Sequence, residues 1–263
     1  MTVPNRREPI TKVMILHWCK VRLSHPPDSL ESALADWMIL GAYAGFRKSE
    51  WIQDHYTFHK KHKFNENVDG SSKAFIFNDF TFFHRPDPKD IRPILTQNQR
   101  TNCVTICWRF QKNGQNGECV TFTENYLEPQ LSQVRAAQRI IQRAVRLKVP
   151  KNNPIAVFSS SHNTCTYLTH IHAQKNIRAV AKACYSDLDA KNLNKFTCHS
   201  VRVGACVTLH IGGANEHDIK HRLRWRSNSF MMYLRSMPQI AARHNSLFNQ
   251  TDPDSITIPE LNH

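Results

Sequence analysis

VTICWRFQKNGQNGECVTF, residues 104–122, reads as two strands joined by a tight turn. Val104, Ile106, Trp108 and Phe110 alternate with Thr105, Cys107, Arg109 and Gln111, the period-two pattern of a half-buried strand. Val120 and Phe122 continue the apolar face on the return strand. Between them KNGQNG (112–117) carries two Asn-Gly pairs, the strongest short-range hairpin signal, and puts Lys112 at the lip of the turn. Almost everything periodic around this hairpin is helical. Upstream, PITKVMILHWCKV (9–21) reads as a short amphipathic helix with Thr11 as N-cap, stopped by Pro26-Pro27. Asp28-Ser29 then opens a strongly apolar helix, with Leu30, Leu34, Trp37 and Met38, running into GAYAGFRKSE (41–50). Residues 53–73 are polar and read as loop, and 74–84 are aromatic and strand-like. Downstream, a helix opened by Pro129 is expected over 129–148, and a second helical block over 166–184. In the last block, 197–235, Gly212-Gly213 breaks one helix, a second begins near Asn215, and a third begins near Ser227 and carries Tyr233. The expected fold is α+β and mainly α: a helical bundle with a small antiparallel sheet.

Composition narrows the function. The chain has 263 residues, with 35 Lys+Arg against 21 Asp+Glu, a formal net charge of +14. Apolar content of 40% makes this a globular protein rather than a disordered basic tail. The longest nearly apolar stretch, Trp37 to Phe46, is too short to span a bilayer. Arg6 and Arg7 have no apolar run behind them, so no signal peptide is expected and the protein reads as intracellular. Its eight cysteines then read as reduced thiols. Cys103 and Cys107, roughly 13 Å apart along a strand, do not share one ion. Cys198 and Cys206 read as small core residues, and Met231 and Met232 as packing around the tyrosine-bearing helix. No Gly-rich nucleotide-binding loop is present. His55, His59 and His62 have helical spacing, but Lys60, Lys61 and Lys63 repel a cation, so no metal and no cofactor is expected. The surplus positive charge points to a polyanion. On the 129–148 helix, Val134, Ile141 and Val145 share one face and Arg135, Arg139, Arg143 and Arg146 the opposite one. Those four arginines, with no acid interleaved after Glu128, make a candidate phosphate-binding stripe, although exposed charge is also the ordinary state of a solvated face.

The last block carries the chemistry. His199 and Arg202 are three apart and project from one helical face. With Arg47, Lys112 and Tyr233 they make two guanidiniums, an imidazole, an ammonium and a phenol, a set suited to phosphoryl transfer at a phosphodiester. Two arginines grip the non-bridging oxygens and neutralise charge developing in the transition state. A phenol becomes a usable nucleophile once its proton is drawn off in a positive site. A lysine or histidine protonates the departing sugar oxygen. No carboxylate cluster for paired magnesium ions is visible.

Order and spacing bring these residues together. AGFRKSE (44–50), FQKNG (110–114), HSVR (199–202) and LRWRSNSFMMYLR (223–235) resemble the motifs of the catalytic domain of tyrosine recombinases, the phage integrase family. The last string is most similar to recombinases of eukaryotic mobile elements. The resemblance covers roughly residues 28–236 and implies a DNA breaking-and-rejoining enzyme acting on double-stranded DNA. It implies that Arg47 and Arg202 hold the scissile phosphate and that Glu50 fixes the turn of Arg47. Lys112 would protonate the leaving 5′ oxygen, His199 would take part in proton transfer, and Tyr233 would form a 3′-phosphotyrosyl link. The family's His-or-Trp position falls nine residues before the tyrosine in many members, at Arg224; Trp225, eight before, is the assigned residue because its indole N–H can donate to phosphate. Arg224 and Arg226 join the stripe as expected DNA contacts. The implied layout is an N-terminal helix and linker over 1–27, a catalytic domain over 28–237 and a tail over 238–263. A tetramer on DNA is implied, as is a nuclear location in a eukaryotic host. Only about 27 residues precede the catalytic helix, too few for the family's N-terminal DNA-clamping domain, so weak DNA affinity is expected of this chain alone. Two alternatives stay open: an inactive DNA-binding relic, and a tyrosine-type topoisomerase.

Overall fold

A computed structural model describes residues 7–52, 72–84, 101–111, 114, 116–161, 164–234 and 242. Lys112, the histidines at 55, 59 and 62, and the tail from Pro238 lie outside the described residues. The chain divides into two compact units, residues 1–205 and 206–263.

In the first unit Thr11 caps α1 (Lys12–Leu23), its side chain accepting from the Met14 amide. Ser29 caps α2 (Leu30–Ala44) in the same way. α1 is part of the core: Met14 and Trp18 are fully buried, and Trp18 Nε1 donates to Asn176 Oδ1 at 2.7 Å. Along α2, Leu34, Trp37, Met38 and Leu40 are buried on all sides, as a helix apolar around most of its circumference requires. It ends at Gly45, whose left-handed backbone (φ 57°) turns the chain sharply into Phe46 and Arg47. A single helical turn, α3 (Lys48–Trp51), follows.

The three-stranded antiparallel sheet has the order β1 (Phe80–Phe83), β2 (Cys103–Trp108), β3 (Glu118–Thr123). Only the end of the strand-like stretch 74–84 is strand. A 3₁₀ turn at Phe77–Asp79 precedes it, held by the Asp79 carboxylate, which accepts from the Ile76 amide at 2.8 Å and from Arg109 at 2.6 Å. The hairpin sets Ile106 opposite Val120 and Val104 opposite Phe122, so Val120 and Phe122 continue the apolar face as expected. Its inner face packs on an aromatic cluster: Phe75 lies 5.6 Å from Trp108, and Trp37 stacks on Trp51 at 5.2 Å. The same register sets Cys107 against Cys119, and the two form a disulfide. That corrects the expectation of eight reduced thiols, since a directly opposed cross-strand pair brings the two sulfurs within bonding reach.

Pro129 opens a 3₁₀ turn rather than α4 itself; α4 (Gln133–Arg146) is capped by Ser132. Its buried face runs through Ala136, Ala137, Ile140 and Ala144, whereas Val145 is 61% exposed. Of the expected Val134–Ile141–Val145 row, Val134 is fully buried and Ile141 packs partly buried against the core, so the core face keeps these two and is rotated toward the small residues and away from Val145 alone. This places Arg143 at the core's edge, facing α2. A two-stranded hairpin not expected from sequence follows, β4 (Val157–Ser159) with β5 (Cys165–Tyr167). The expected 166–184 helix therefore starts later, as α5 (His170–Cys184), capped by Thr169. A short α6 (Ala190–Leu193) leads to α7 (Ser200–Ile211). Gly204 lets α7 lie directly on the chain at Ile10: a β-carbon there would sit 2.5 Å from the Ile10 carbonyl oxygen.

In the second unit α7 ends at Gly212-Gly213, as expected. Asn215 caps α8 (Glu216–Leu223), accepting from the Asp218 amide at 2.8 Å. Arg224 closes α8 in the left-handed region (φ 55°), and a 3₁₀ turn at Asn228–Phe230 runs into α9 (Met231–Leu234), which carries Tyr233. Among the described residues no helix is long and apolar enough to cross a membrane.

Candidate active site

The first unit gathers part of the expected set around the end of α2. Arg47, the N-cap of α3, is fixed twice by Glu50: its amide donates to Oε2 at 2.8 Å and its Nη1 to Oε1 at 3.1 Å. Glu50 is 2% exposed and also accepts from Trp108 Nε1 at 3.0 Å. One carboxylate thereby ties the arginine's turn to the hairpin. Arg202, on the first turn of α7, is buried and donates from Nη1 to the Gly45 carbonyl at 2.7 Å. The turn that presents Arg47 is therefore held from both sides.

His199 joins them. Burial, and then the charges of Arg202, Arg7 and Arg47, hold its imidazole below the ordinary histidine value. A proton on this ring meets guanidiniums from three separate segments, so the pocket around it is strongly positive. Gln111, the residue before Lys112, reaches the same place. Its side chain accepts from Arg47 Nη1 at 3.5 Å and donates to Glu118 at 2.8 Å, while its amide donates to Asn116 Oδ1 at 2.7 Å. The lip of the hairpin is thus anchored beside Arg47. Sequence reasoning missed Gln111, a buried polar residue in a turn, because only its partners mark it.

The second unit holds Trp225 and Tyr233, while Lys112 lies outside the described residues. Tyr233 is half-buried, and its ring meets Trp225 edge-on at 5.7 Å between centroids; Trp225 also meets Phe230 at 6.1 Å. Met231 and Met232 are 39% and 48% exposed rather than packed. Cys198 and Cys206 are buried, as expected.

The expected DNA contacts fare differently. The stripe on α4 is committed to carboxylates: Arg135 to Glu124, Arg139 and Arg143 to Asp36, Arg146 to Asp28. Arg143 is 2% exposed and Asp36 fully buried. The open basic face expected from this helix is a paired one, because the acids that neutralise it come from α2 and the sheet, far away in sequence. Arg224 is buried at 1% exposure, as Arg202 is at 2%, whereas Arg226 is exposed. Among the described residues no group of His, Cys, Asp and Glu is arranged to hold a metal ion.

No protein-family model and no curated protein matches the sequence. Several solved chains have a similar structure. The XerH site-specific recombinase bound to palindromic difH substrate, a post-cleavage complex, aligns with a TM-score of 0.53 at 12% identity, covering 93% of this chain and 54% of that one. The XerH pre-cleavage complex aligns at 0.51, with 94% and 56% covered. The XerA recombinase also aligns at 0.51 and 12% identity, with 95% and 68% covered. The chain spans about half the length of the XerH chains it matches. None of these matches supports the expected nearness to recombinases of eukaryotic mobile elements. What they share with this chain is the architecture, and the mainly helical fold with a small antiparallel sheet is the fold expected from the tyrosine recombinase resemblance.

Proposed function

We propose that this chain breaks and rejoins DNA strands through a covalent 3′-phosphotyrosyl intermediate. The observation that carries the proposal is the convergence of Arg47, His199 and Arg202 with the hairpin lip at Gln111. Such a cluster neutralises the charge that builds on a phosphodiester as it becomes pentacoordinate. In this reading Arg47 and Arg202 grip the non-bridging oxygens, and the Tyr233 phenol attacks phosphorus. The new O–P bond replaces the P–O5′ bond. His199 takes part in removing the phenol's proton, and Lys112 delivers one to the departing 5′ oxygen. Attack by a 5′ hydroxyl reverses the sequence, so bond energy is conserved and no nucleotide is consumed. Trp225, against the tyrosine ring, orients the phenol and offers its indole N–H to phosphate. Arg226 contacts the backbone. The partner is double-stranded DNA, on which the chain works as a tetramer inside the cell, and in the nucleus of a eukaryotic host. The likeness to XerH, captured on its difH substrate before and after cleavage, adds weight.

A nicked duplex that loses the short 5′-hydroxyl fragment after cleavage tests this. The wild-type chain should accumulate a covalent protein–DNA adduct stable to denaturant, and Tyr233→Phe should abolish it. Binding without adduct would instead mark a DNA-binding relic. Plasmid relaxation without pairing of two sites would mark a topoisomerase.

A further inference from the structure

Between the last turn of α1, the start of α2 and one face of α4 lies a cavity of about 260 Å³. Four guanidiniums line it: Arg22, Arg139, Arg143 and Arg146. Two carboxylates answer them. Asp36, at the cavity wall, takes Arg139 at 2.6 Å and Arg143 at 2.5 Å, and Asp28 takes Arg146 at 2.6 Å. Counted together, four positive groups face two negative ones. Among the described residues Arg22 has no carboxylate of its own, and its Nε, like Nη2 of Arg139, is buried without an acceptor. Burial first, and then the charge of Arg139, push the Arg22 guanidinium below its ordinary value. Two guanidiniums held together in a recess thus keep unused donors and mutual repulsion, both of which an anion relieves.

We infer that this recess binds a compact phosphate anion carrying two or more negative charges, such as pyrophosphate. The volume lies below the range of pockets for drug-sized ligands, which favours a small occupant. Planar guanidiniums match pairs of phosphate oxygens with two parallel hydrogen bonds, which an ammonium cannot do. Asp36 excludes a weakly charged anion, because a carboxylate in the wall must be outweighed by several contacts. Arg143, sealed and shared between Asp36 and the Pro27 carbonyl at 2.9 Å, sets the wall in place, leaving Arg22 and Arg139 to take the ligand. The recess is built from α1, α2 and α4 and includes none of the groups of the candidate active site, so the inference does not depend on the proposed recombination chemistry.

Thermal melting of the full chain with sodium pyrophosphate, against sodium chloride of equal ionic strength, tests it. Pyrophosphate should raise the melting temperature by several degrees in a saturable way. Arg22→Gln should weaken the apparent affinity by about tenfold or more, the loss of one charge-assisted contact. Arg22→Lys, which keeps the charge and loses the fork, should weaken it as well and serves if the glutamine variant folds poorly. A shift no larger than that of chloride, or one that both variants retain in full, overturns the inference. So does a short duplex whose binding falls with Arg22→Gln while pyrophosphate has no effect, because the recess then serves the nucleic-acid backbone. Duplex binding unchanged in the variant while the pyrophosphate shift is lost supports a separate site for free phosphate.

Discussion

Glu50→Ala is the substitution on which the site's architecture bears most directly. Among the donors that converge on this carboxylate are the Arg47 amide at 2.8 Å, Arg47 Nη1 at 3.1 Å and Trp108 Nε1 at 3.0 Å. Each hydrogen bond to a charged acceptor contributes about 1.5–3 kcal/mol, but bonds that share one acceptor do not add in full. Breaking a buried ion pair by removing one partner costs about 3–5 kcal/mol. Arg47 is 24% exposed and regains some solvation, which places the expected loss near the lower bound, about 3 kcal/mol. For a unit of this size that is roughly 6–12 °C in melting temperature. Glu50→Gln keeps an oxygen for the donors at Oε2 but sets an amide N–H₂ against Arg47 Nη1, so about half the loss is expected, roughly 1.5 kcal/mol. Urea unfolding of the three proteins, followed by tryptophan fluorescence, measures both values. At a temperature where the variant remains folded, a drifting Arg47 should lower adduct formation by about 100-fold, the usual consequence of an ångström of misplacement. A loss under about 1 kcal/mol for Glu50→Ala would mean that this carboxylate does not hold the turn, and the reasoning about Arg47 would fail with it.

Three further outcomes are expected. The His199 imidazole titrates below its ordinary 6.5 when folded, so the unfolded chain binds the proton more readily; stability is present above that value and falls as pH drops through it. His199→Gln should flatten the fall in melting temperature between about pH 7 and about pH 5, and an unchanged slope would remove His199 from the positive cluster. Gly204→Ala should destabilise by about 1–3 kcal/mol despite the better helix propensity of alanine, because the new methyl group meets the Ile10 backbone; a rise in melting temperature would refute the close approach. Thiol titration in denaturant without reductant should find six reactive cysteines, Cys107 and Cys119 being bonded, and reductant should lower stability by about 2–4 kcal/mol. Eight thiols would contradict the pairing.

Much of the fold is legible because its signals are local. Thr11, Ser29 and Asn215 announce their helices by capping chemistry, Gly212-Gly213 ends α7, and Asn116-Gly117 lies in the hairpin turn. The site is half legible for the same reason. Arg47 and Glu50 are three apart, as are His199 and Arg202, so each pair is visible as spacing, whereas their meeting depends on α7 lying against the end of α2. What sequence could not supply is the identity of distant partners. The arginine stripe on α4 looks like an open basic face until Asp28, Asp36 and Glu124 arrive from other elements and neutralise it. Cys107 and Cys119 become a pair only once the strand register is known. The β4–β5 hairpin has three-residue strands, too short for periodicity to register.

The central claim concerns one bond, between the phenol of residue 233 and a phosphorus atom. Peptide mapping of the trapped protein–DNA adduct by mass spectrometry tests it most directly. The account expects a single linked peptide containing Tyr233, joined to the 3′ end of the cleaved strand, and no adduct from Arg202→Ala. Linkage through a different residue, or to a 5′ end, would contradict it.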